Sequence, residues 1–485
     1  MRILILFIYF VFITGAVCAQ SKFYKLYSSN GFDIGKGVAE YTDSSFLVCG
    51  SSTSWGGSTQ LVLVKVDSSG TYEWSNQYGG SESDGANRVL YNQSTGVYAI
   101  GYTNSIGNGD YNGLVLHTDE YGNEIWQKSF GVNSAWEFFN DAVFGNDTSV
   151  FMVGYSQNVS NGNKNIYMVR MDINGDELWS QTVSAYESAE ASSITSVQDS
   201  LFIIGGSYYS SDSLINKGFL MKLNMAGDVL WFKTLGNLSG EYAVNDVSLG
   251  NDKVYVVGSR KLTEDNHDHY SAVFDFDGNV LIEKTEVDVS EVRNHIGDEI
   301  CYISNVNMPV TGERKIDQFT FQDDYDVYFS YYTPNSLVWM NNFSTINNAG
   351  LDRSGQILET SDGGFIAVGQ TTYPMSGGSN VFIFKSGPDG TFPLTADYYT
   401  IYTLVDVPEI IVNEVSVFPN PSQGKFLFNS TSQLPKNIYI YDALGHVIFE
   451  STLFSNEVID LSSFRDGFYY ARIEDVLVKL VKVSN

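Results

Sequence analysis

Positive charge and cysteine are both scarce in this sequence. Its 485 residues contain 27 lysines and arginines against 56 aspartates and glutamates, a formal net charge of −29, and only 3 cysteines. The excess of negative charge repels phosphate backbones and anionic lipids, so the sequence predicts no nucleic-acid partner. Three cysteines are too few for a disulfide scaffold in a chain of this length.

Long apolar runs are missing after the first 20 residues. Residues 1–19 begin with Arg2, continue with an apolar run to Ile13 and end in small residues before a cut after Ala19, a pattern typical of a secretory signal peptide. No later stretch approaches 18 unbroken apolar residues, so we expect no transmembrane segment in the mature chain. Cys49 and Cys301 remain after cleavage, and the sequence leaves open whether they are free.

Motifs of the common enzyme classes are missing too. The sequence has no G-x-S-x-G elbow, no H-E-x-x-H, no Walker loop and no dinucleotide-binding fingerprint. The pair His267 and His269 lies in a polar segment with no third ligand close in sequence, which argues against a metal site there. The sequence therefore predicts no catalytic residue and no cofactor.

What the chain does have is an internal repeat. A large apolar residue, tryptophan in five of eight cases, recurs every 51 to 57 residues: Phe23, Trp74, Trp126, Trp179, Trp231, Ile282, Trp339 and Phe392. A glycine that ends an apolar run recurs in the same phase: Gly50, Gly101, Gly154, Gly205, Gly258, Gly312 and Gly369. The two markers agree on seven repeats.

Each repeat predicts four short strands. In residues 88–128, runs rich in Val, Ile, Leu and Tyr alternate with Gly, Asn, Ser and Asp clusters, and helix signals are absent. Four strands in about 50 residues describe a propeller blade. The sequence therefore predicts an all-β fold with a closed seven-bladed β-propeller over residues 20–393, because closure removes exposed sheet edges.

One block of the repeat carries a family resemblance. The segment Asp67–Trp74 recurs at 119–126, 172–179 and 224–231, with an Asp or Asn that bonds its own backbone and a Gly at positive φ, which predicts a hairpin turn. The turns at 172–176 and 275–279 lack the spacing of true calcium loops. The block resembles SBBP-type β-propeller repeats of bacterial surface proteins, a resemblance specific for fold and weak for activity.

After residue 393 the repeat stops. Residues 394–410 are predicted to be a linker, and residues 411–485 form a separate unit that resembles the type A C-terminal sorting domain of the type IX secretion system of Bacteroidota. The resemblance rests on the segments 417–424, 438–445, 467–472 and 479–482, with the motif residues Pro419, Asn420, Pro421, Gly424, Gly445, Gly467, Tyr469, Lys479 and Lys482.

The resemblance implies a small β-sandwich that the outer-membrane translocon recognises and commonly removes. It implies that the protein passes through the periplasm and is secreted or held on the outer cell surface. Its first partner would then be the type IX translocon, and an extracellular protein or polysaccharide would be the second.

Acidic residues near the start of each repeat offer a candidate metal site: Asp33, Asp84, Glu137, Glu187, Glu241, Asp298 and Asp352. Gathered around one face of a ring, their carboxylates would hold a hard cation such as Ca²⁺. The alternative is that each caps a loop by accepting backbone hydrogen bonds. Their uneven offsets from the aromatic markers favour capping.

Loops of one phase combine aromatic residues with Asn, Ser, Asp and Gly, at 55–59, 105–111, 159–164 and 376–380. Carbohydrate-binding surfaces have this composition, and so do ordinary solvated loops. The sequence favours a non-catalytic binding or scaffold protein delivered to the cell exterior. The alternative is a polysaccharide-acting or quinoprotein-like propeller enzyme.

Overall fold

The structure is a computed structural model. It describes residues 21–483 except short gaps at 29–30, 55–57, 108–109, 133–134, 185, 198–199, 237–239, 251, 264–265, 287–294, 301–307, 316–324, 334–335, 344–351, 373–377, 392–400, 404–414, 419–421, 431–435, 443–445, 454–456, 466 and 474–475. The predicted signal peptide, residues 1–19, and Cys301 lie outside these ranges. Two compact units divide the chain, residues 1–404 and 405–485.

The first unit is all-β, as predicted. Its described residues form seven sheets: six of them contain four antiparallel strands that neighbour each other in chain order, and the seventh contains five strands from both ends of the unit. Sheets 1 to 3 contain β2 (Asp33–Glu40), β3 (Phe46–Ser52), β4 (Gln60–Val66), β5 (Tyr72–Tyr78); β6 (Asp84–Asn92), β7 (Gly96–Thr103), β8 (Asn112–Thr118), β9 (Glu124–Phe130); and β10 (Ala135–Phe144), β11 (Val150–Asn158), β12 (Lys164–Met171), β13 (Glu177–Val183).

The next three sheets repeat this arrangement. Sheets 4 to 6 contain β14 (Ser188–Val197), β15 (Leu201–Ser210), β16 (Ile215–Asn224), β17 (Val229–Leu235); β18 (Glu241–Gly250), β19 (Lys253–Thr263), β20 (Asn266–Phe274), β21 (Val280–Glu286); and β22 (His295–Ile300), β23 (Met308–Lys315), β24 (Tyr325–Thr333), β25 (Ser336–Phe343).

Sheet 7 is built from both ends of the unit. It contains β26 (Asp352–Glu359), β27 (Phe365–Thr371), β28 (Asn380–Ser386), β1 (Phe23–Ser28) and β29 (Ile401–Thr403). Strand β1 pairs antiparallel with β28, with Phe23 opposite Lys385. Strand β29 pairs parallel with β1, with Leu26 opposite Ile401. Part of the predicted linker is therefore the outer strand of a sheet.

A β-bulge interrupts the pairing of the first and second strands in each of these seven sheets. The shift follows Gly35, Ala86, Phe139, Ala191, Val244, Gly297 and Ser354. The second strand passes so close to the first at this point that a side chain has no room. A Cβ atom on Gly50 would lie 1.7 Å from the carbonyl oxygen of Ile34, and one on Gly154 would lie 1.9 Å from that of Phe138. The bulge therefore explains the phased glycines, although in sheet 4 the residue in this position is Gly206 rather than Gly205.

The hairpin-turn prediction is confirmed. The Asp119 carboxylate accepts hydrogen bonds from the backbone N–H groups of Tyr121 at 2.9 Å and Asn123 at 2.8 Å. Gly122 has φ 79°. A Cβ atom there would lie 2.7 Å from the Trp74 ring of the preceding sheet. The phased tryptophan thus packs on the turn of the next sheet, where glycine alone fits.

The cores of the first unit lie between neighbouring sheets. Tyr98 and Ile100 of sheet 2 pack with Phe139 and Tyr167 of sheet 3, and the last two rings stack with centroids 5.7 Å apart. Cys49 lies fully buried in the core between sheets 1 and 2. Burial raises the pKa of its thiol to about 12, so the thiol is unreactive at neutral pH.

The second unit consists of two sheets that share one apolar core. The strands are β30 (Val415–Phe418), β31 (Lys425–Ser430) and β34 (Glu457–Asp460) in one sheet, and β33 (Val447–Leu453), β32 (Lys436–Tyr441), β35 (Gly467–Ile473) and β36 (Val476–Lys482) in the other. Phe426 and Phe428 of the first sheet pack with Ile438 and Ile440 of the second.

The described motif residues of this unit have structural roles. Gly424 and Gly467 have φ of 118° and 154°. Tyr469 is buried, and its hydroxyl donates a hydrogen bond to the carbonyl oxygen of Arg465 at 2.6 Å. Lys482 is buried and pairs with Gly467 at the sheet edge. Lys479 lies in β36, while the predicted motif residues Pro419, Asn420, Pro421 and Gly445 lie outside the described residues.

Candidate functional site

Five aromatic side chains meet at one end of sheets 2 and 3. Tyr102 and Tyr155 lie near the ends of the second strands β7 and β11, Trp136 and Phe138 lie at the start of the first strand β10, and Tyr111 directly precedes the third strand β8. In an antiparallel sheet the start of the first strand, the end of the second and the start of the third lie at the same end of the sheet. We call this group the aromatic cluster.

The rings of the aromatic cluster are in contact and partly exposed. Phe138 stacks on Tyr155 with centroids 5.1 Å apart and on Tyr111 at 5.2 Å. Trp136 meets Tyr111 edge-on at 5.8 Å, and Tyr102 lies 5.4 Å from Phe138. All five side chains are half-buried, unlike the fully buried rings of the sheet cores. The cluster therefore presents a ring surface to solvent.

An ion pair borders the cluster. The Lys164 ammonium lies 2.5 Å from a carboxylate oxygen of Glu190 and 4.0 Å from the centroid of the Tyr155 ring. Burial, and after it the Glu190 carboxylate, raises the pKa of Tyr155 to about 12. Tyr155 is therefore a neutral hydrogen-bonding group at physiological pH, and the charge of Lys164 is compensated.

A chain of polar side chains, of which three are buried and Arg88 is half-buried, links four successive sheets. The Arg88 guanidinium of sheet 2 lies 3.0 Å from a carboxylate oxygen of Asp141 in sheet 3. The Ser193 hydroxyl of sheet 4 donates to Asp141 at 3.0 Å and also contacts the carboxylate of Asp246 in sheet 5. The Ile194 backbone N–H donates to Asp141 at 2.8 Å. We call Arg88, Asp141, Ser193 and Asp246 the polar chain.

The aromatic cluster and the polar chain lie on the same strands. Phe138 and Asp141 are three residues apart on β10, roughly 10 Å along the strand. The members of the polar chain each follow the bulge of their own first strand. Bulge residues add further links between sheets, because the Asn87 amide donates to the Phe139 carbonyl oxygen at 2.7 Å and the Asn140 amide donates to that of Ala191 at 2.8 Å.

The predicted acidic ring does not occupy one repeated position. Asp33, Asp84, Glu137 and Asp352 each lie two residues before the bulge and are buried. The equivalent residues of sheets 4 to 6 are Ala189, Tyr242 and His295. Glu187 is exposed before β14, Glu241 accepts a hydrogen bond from Asn216 at 3.0 Å, and Asp298 is a bulge residue whose side chain lies outside the described part.

The equivalent carboxylates accept hydrogen bonds from within the protein. Ser52 donates to Asp33 at 2.5 Å, Ser105 and the Gly80 N–H donate to Asp84 at 2.7 and 2.9 Å, and Ser156 donates to Glu137 at 2.8 Å. Only the Gly80 contact is a backbone hydrogen bond of the kind that the loop-capping alternative requires, and the other three come from serine hydroxyls. Calcium binding stays a prediction; among the described residues, no three His, Cys, Asp or Glu side chains are grouped to hold a metal ion.

The pKa of the buried Glu137 carboxyl is raised above its ordinary value. Burial is the main cause that raises its pKa, and the nearby Asp110 carboxylate adds to it, while the Ser156 hydrogen bond opposes both. The folded state therefore favours the protonated form of Glu137 more than the unfolded chain does.

The histidine pair is only partly described. His269 is buried in β20, and the neighbouring Asp268 lies 3.8 Å from the Arg260 guanidinium. The side chain of His267 lies outside the described residues.

Sequence reasoning found two residues at the edge of this site and missed the rest. Tyr111 and Lys164 lie in the predicted aromatic and polar loops. Trp136 was missed, although it is a tryptophan outside the repeat phase. The signal for Tyr102 and Tyr155 is that tyrosine follows the phased glycine in only these two repeats.

Several solved structures are similar to this chain at low identity. A protein of unknown function from Dyadobacter fermentans has 7% identity, covers 75% of this chain and 97% of its own, and has a TM-score of 0.44. A subtype N11 neuraminidase-like protein of a flat-faced bat influenza virus has 11% identity, coverages of 79% and 91%, and a TM-score of 0.37. Sucrose-6-phosphate hydrolase from Lactobacillus gasseri has 10% identity, coverages of 72% and 86%, and a TM-score of 0.34. At such TM-scores none of them carries an argument about activity.

The C-terminal unit has a family match. No curated protein matches the chain. In the part of the chain that the structure describes, no helix is long and apolar enough to cross a membrane. Residues 416–483 match the family described as the secretion system C-terminal sorting domain, which indicates a protein that the type IX system exports to the cell surface or secretes.

Proposed function

We propose that this protein is an exported, non-catalytic binding protein whose first unit is a closed seven-bladed β-propeller. The aromatic cluster is its ligand-binding surface. The sorting domain supports export. Hydrogen bonds between the last and first sheets support closure: the Val38 N–H donates to the Gln356 side-chain oxygen at 2.8 Å, and the Asp33 N–H donates to the Ser379 carbonyl oxygen at 2.9 Å.

The domain arrangement proposed is a propeller over residues 20–393, a linker at 394–410 and a sorting domain at 411–485. The division between compact units after residue 404 lies inside that linker. Strand β29 would then remain attached to the propeller when the sorting domain is removed.

The observation that carries the binding proposal is the partial exposure of the aromatic cluster. Rings in the sheet cores, such as Tyr98, Phe139 and Tyr167, are fully buried, whereas the phased tryptophans that pack on the hairpin turns are half-buried as the cluster rings are. Five half-buried rings in mutual contact at one end of sheets 2 and 3 leave apolar surface that a ligand would cover. Aromatic residues that combine flat apolar area with few rotatable bonds are typical of binding surfaces.

Thermal unfolding of the full chain tests this function. It is measured with Ca²⁺, with a quinone cofactor and with soluble polysaccharides. A ligand at 100 times its dissociation constant adds about 2.7 kcal/mol to stability, which raises the midpoint by several degrees. We expect a shift with a polysaccharide that disappears in Trp136→Ala. A shift with Ca²⁺ or the quinone that survives this substitution would instead support the enzyme alternative.

A further inference from the structure

We infer that protonation of Glu137 controls how the aromatic cluster packs, which rests on the proposed function and adds a pH regulation of its binding surface. Glu137 lies on β10 between Trp136 and Phe138, two members of the cluster, and its side chain is fully buried. A charge that appears or disappears at this position therefore acts on the strand that carries both rings.

The Glu137 carboxylate has a hydrogen-bond donor at one of its two oxygen atoms. Oε1 accepts a hydrogen bond from the Ser156 hydroxyl at 2.8 Å, whereas Oε2 is buried and accepts none. An ionised carboxylate is an acceptor at both oxygens, and a buried charge without enough donors costs free energy. A proton on Oε2 removes that cost.

A second side-chain oxygen lies beside Oε2. A Cβ atom on Gly131 would lie 2.3 Å from Asn112 Oδ1 and 2.6 Å from Glu137 Oε2, so both oxygens lie close to the same point. The Asn112 amide is held in this orientation, because its nitrogen donates to the carbonyl oxygens of Asp110 at 2.7 Å and Ile106 at 3.4 Å. Ionised Glu137 therefore places a negative charge beside the oxygen end of an amide dipole, and the two repel each other.

This repulsion acts between the two segments that carry the rings. Asn112 directly follows Tyr111, and the Glu137 N–H donates to the Tyr111 carbonyl oxygen at 3.0 Å. The Tyr111 ring stacks on Phe138 at 5.2 Å and meets Trp136 edge-on at 5.8 Å. Ionisation of Glu137 therefore pushes the start of β8 away from the start of β10 and loosens the contacts of the Tyr111 ring.

The groups around Glu137 also favour its neutral form. Burial is the largest cause that raises its pKa, and the Asp110 carboxylate adds to it, while the Ser156 hydroxyl and the nearby Val132 N–H oppose both. No lysine or arginine of the described residues lowers it. The phenol of Tyr167, on β12, stays neutral, because burial and then the Glu137 charge raise its pKa. The packing that depends on neutral Glu137 is therefore present at lower pH and is lost as the pH rises through the folded pKa.

Near-UV circular dichroism of the full chain, recorded without ligand between pH 4 and 8, tests this inference. Aromatic rings in fixed contact give a signal that weakens when their packing loosens. We expect one step in the signal, with its midpoint above the ordinary glutamate value of 4.5 and the stronger signal on the acid side. Glu137→Gln carries no charge, so the step should be lost and the acid-side signal should persist at every pH. Trp136→Phe shows how much of the step comes from the cluster.

Two further variants locate the step. Glu187→Gln is the matched control, because Glu187 is exposed and lies before β14, and this variant should keep the step unchanged. Asn112→Ala removes the oxygen that lies beside the Glu137 carboxylate, so it should move the step to lower pH.

A signal that is constant with pH, or a step that Glu137→Gln retains, would overturn the inference. So would a step that moves with the Ca²⁺ concentration, because a cation rather than a proton would then lie beside the two oxygens. If Glu137→Gln does not fold, the pH dependence of the difference between the unmodified protein and Trp136→Phe decides in its place. These spectra contain no ligand, so the proposed function stands or falls separately, on the ligand-induced shifts in thermal unfolding.

Discussion

Polar side chains join neighbouring sheets of the first unit, and a cluster of apolar side chains fills the space between the two sheets of the second. Asp141 lies between sheets with Arg88 on one side and Ser193 on the other. Phe426 and Ile438 come from the two sheets of the second unit and pack together in its apolar core. Polar contacts have strict geometry and apolar contacts do not. The polar chain therefore holds sheets 2 to 5 of the first unit in register with one another.

The residues that direct export and those proposed to bind a ligand lie in different units of the chain. The sorting match covers residues 416–483, and the aromatic cluster lies in the first unit. Export and the proposed binding should therefore each be removable without loss of the other.

Removal of residues 411–485 should have the largest effect. We expect complete loss of the protein from the cell exterior, because the sorting domain is the element that the secretion system recognises. The first unit should keep its unfolding midpoint, since it is a compact unit of its own. Protease digestion of intact cells measures export. A truncated chain that still reaches the surface would contradict the sorting assignment.

Phe426→Ala should come next. The ring is fully buried in the core of the second unit, and its loss costs about 3–5 kcal/mol. A unit of this size has little stability to lose, so we expect it to unfold and export to fail. Phe139→Ala creates a comparable cavity in the first unit. It should lower the unfolding midpoint of that unit and leave export intact. Calorimetry and surface protease digestion together distinguish the two variants.

Asp141→Ala should destabilise the first unit by about 1.5–3 kcal/mol, because it removes the charged partner of the half-buried Arg88 guanidinium and of the Ile194 N–H. The control is Asp460→Ala in the second unit, where the carboxylate is exposed and its contact with Lys425 spans 3.8 Å. We expect the control to unfold at the same denaturant concentration as the unmodified protein. Equal effects of the two substitutions would contradict the structural role of the polar chain.

Glu137→Gln should have the smallest effect and a defined pH dependence. Because burial raises the pKa of Glu137 in the fold above its ordinary value of 4.5, its stabilising contribution is present at lower pH and is lost as the pH rises through the folded value. The substitution keeps an acceptor for Ser156 and removes the titration. We expect the variant to gain stability relative to the unmodified protein between pH 4 and 7. If the unfolding midpoints of the variant and of the unmodified protein differ by the same amount at every pH in this range, the pKa of Glu137 is not raised.

The fold was predictable because geometry imposes the repeat markers. Gly50 and Gly154 leave room for the bulged first strand, and Gly122 leaves room for the Trp74 ring, so these residues recur wherever the sheet recurs. The boundaries were less predictable. Strand β29 lies in the predicted linker, since pairing with β1 depends on residues more than three hundred positions away.

The candidate site was harder to predict from the sequence than the fold, because its residues do not recur in every repeat. The proposed ligand-binding residues break the repeat rather than follow it, as Trp136 does. The polar chain does follow the repeat, with Arg88, Asp141, Ser193 and Asp246 spaced 53, 52 and 53 residues apart. Its residue types differ at each step, so their shared position becomes visible only when the bulge is located. The acidic residues near the repeat start show the reverse case: their residue type is similar in all seven repeats, but only Asp33, Asp84, Glu137 and Asp352 share one register position.

The pairing of β1 with β28 has a consequence for the order of synthesis. β1 is made early, but its neighbour in the sheet is completed only at Ser386. The residues that match the sorting domain begin soon afterwards, at 416. A prematurely terminated chain that cannot complete this sheet therefore also lacks its export address. Translation order alone thus keeps incomplete chains from being sent out of the cell.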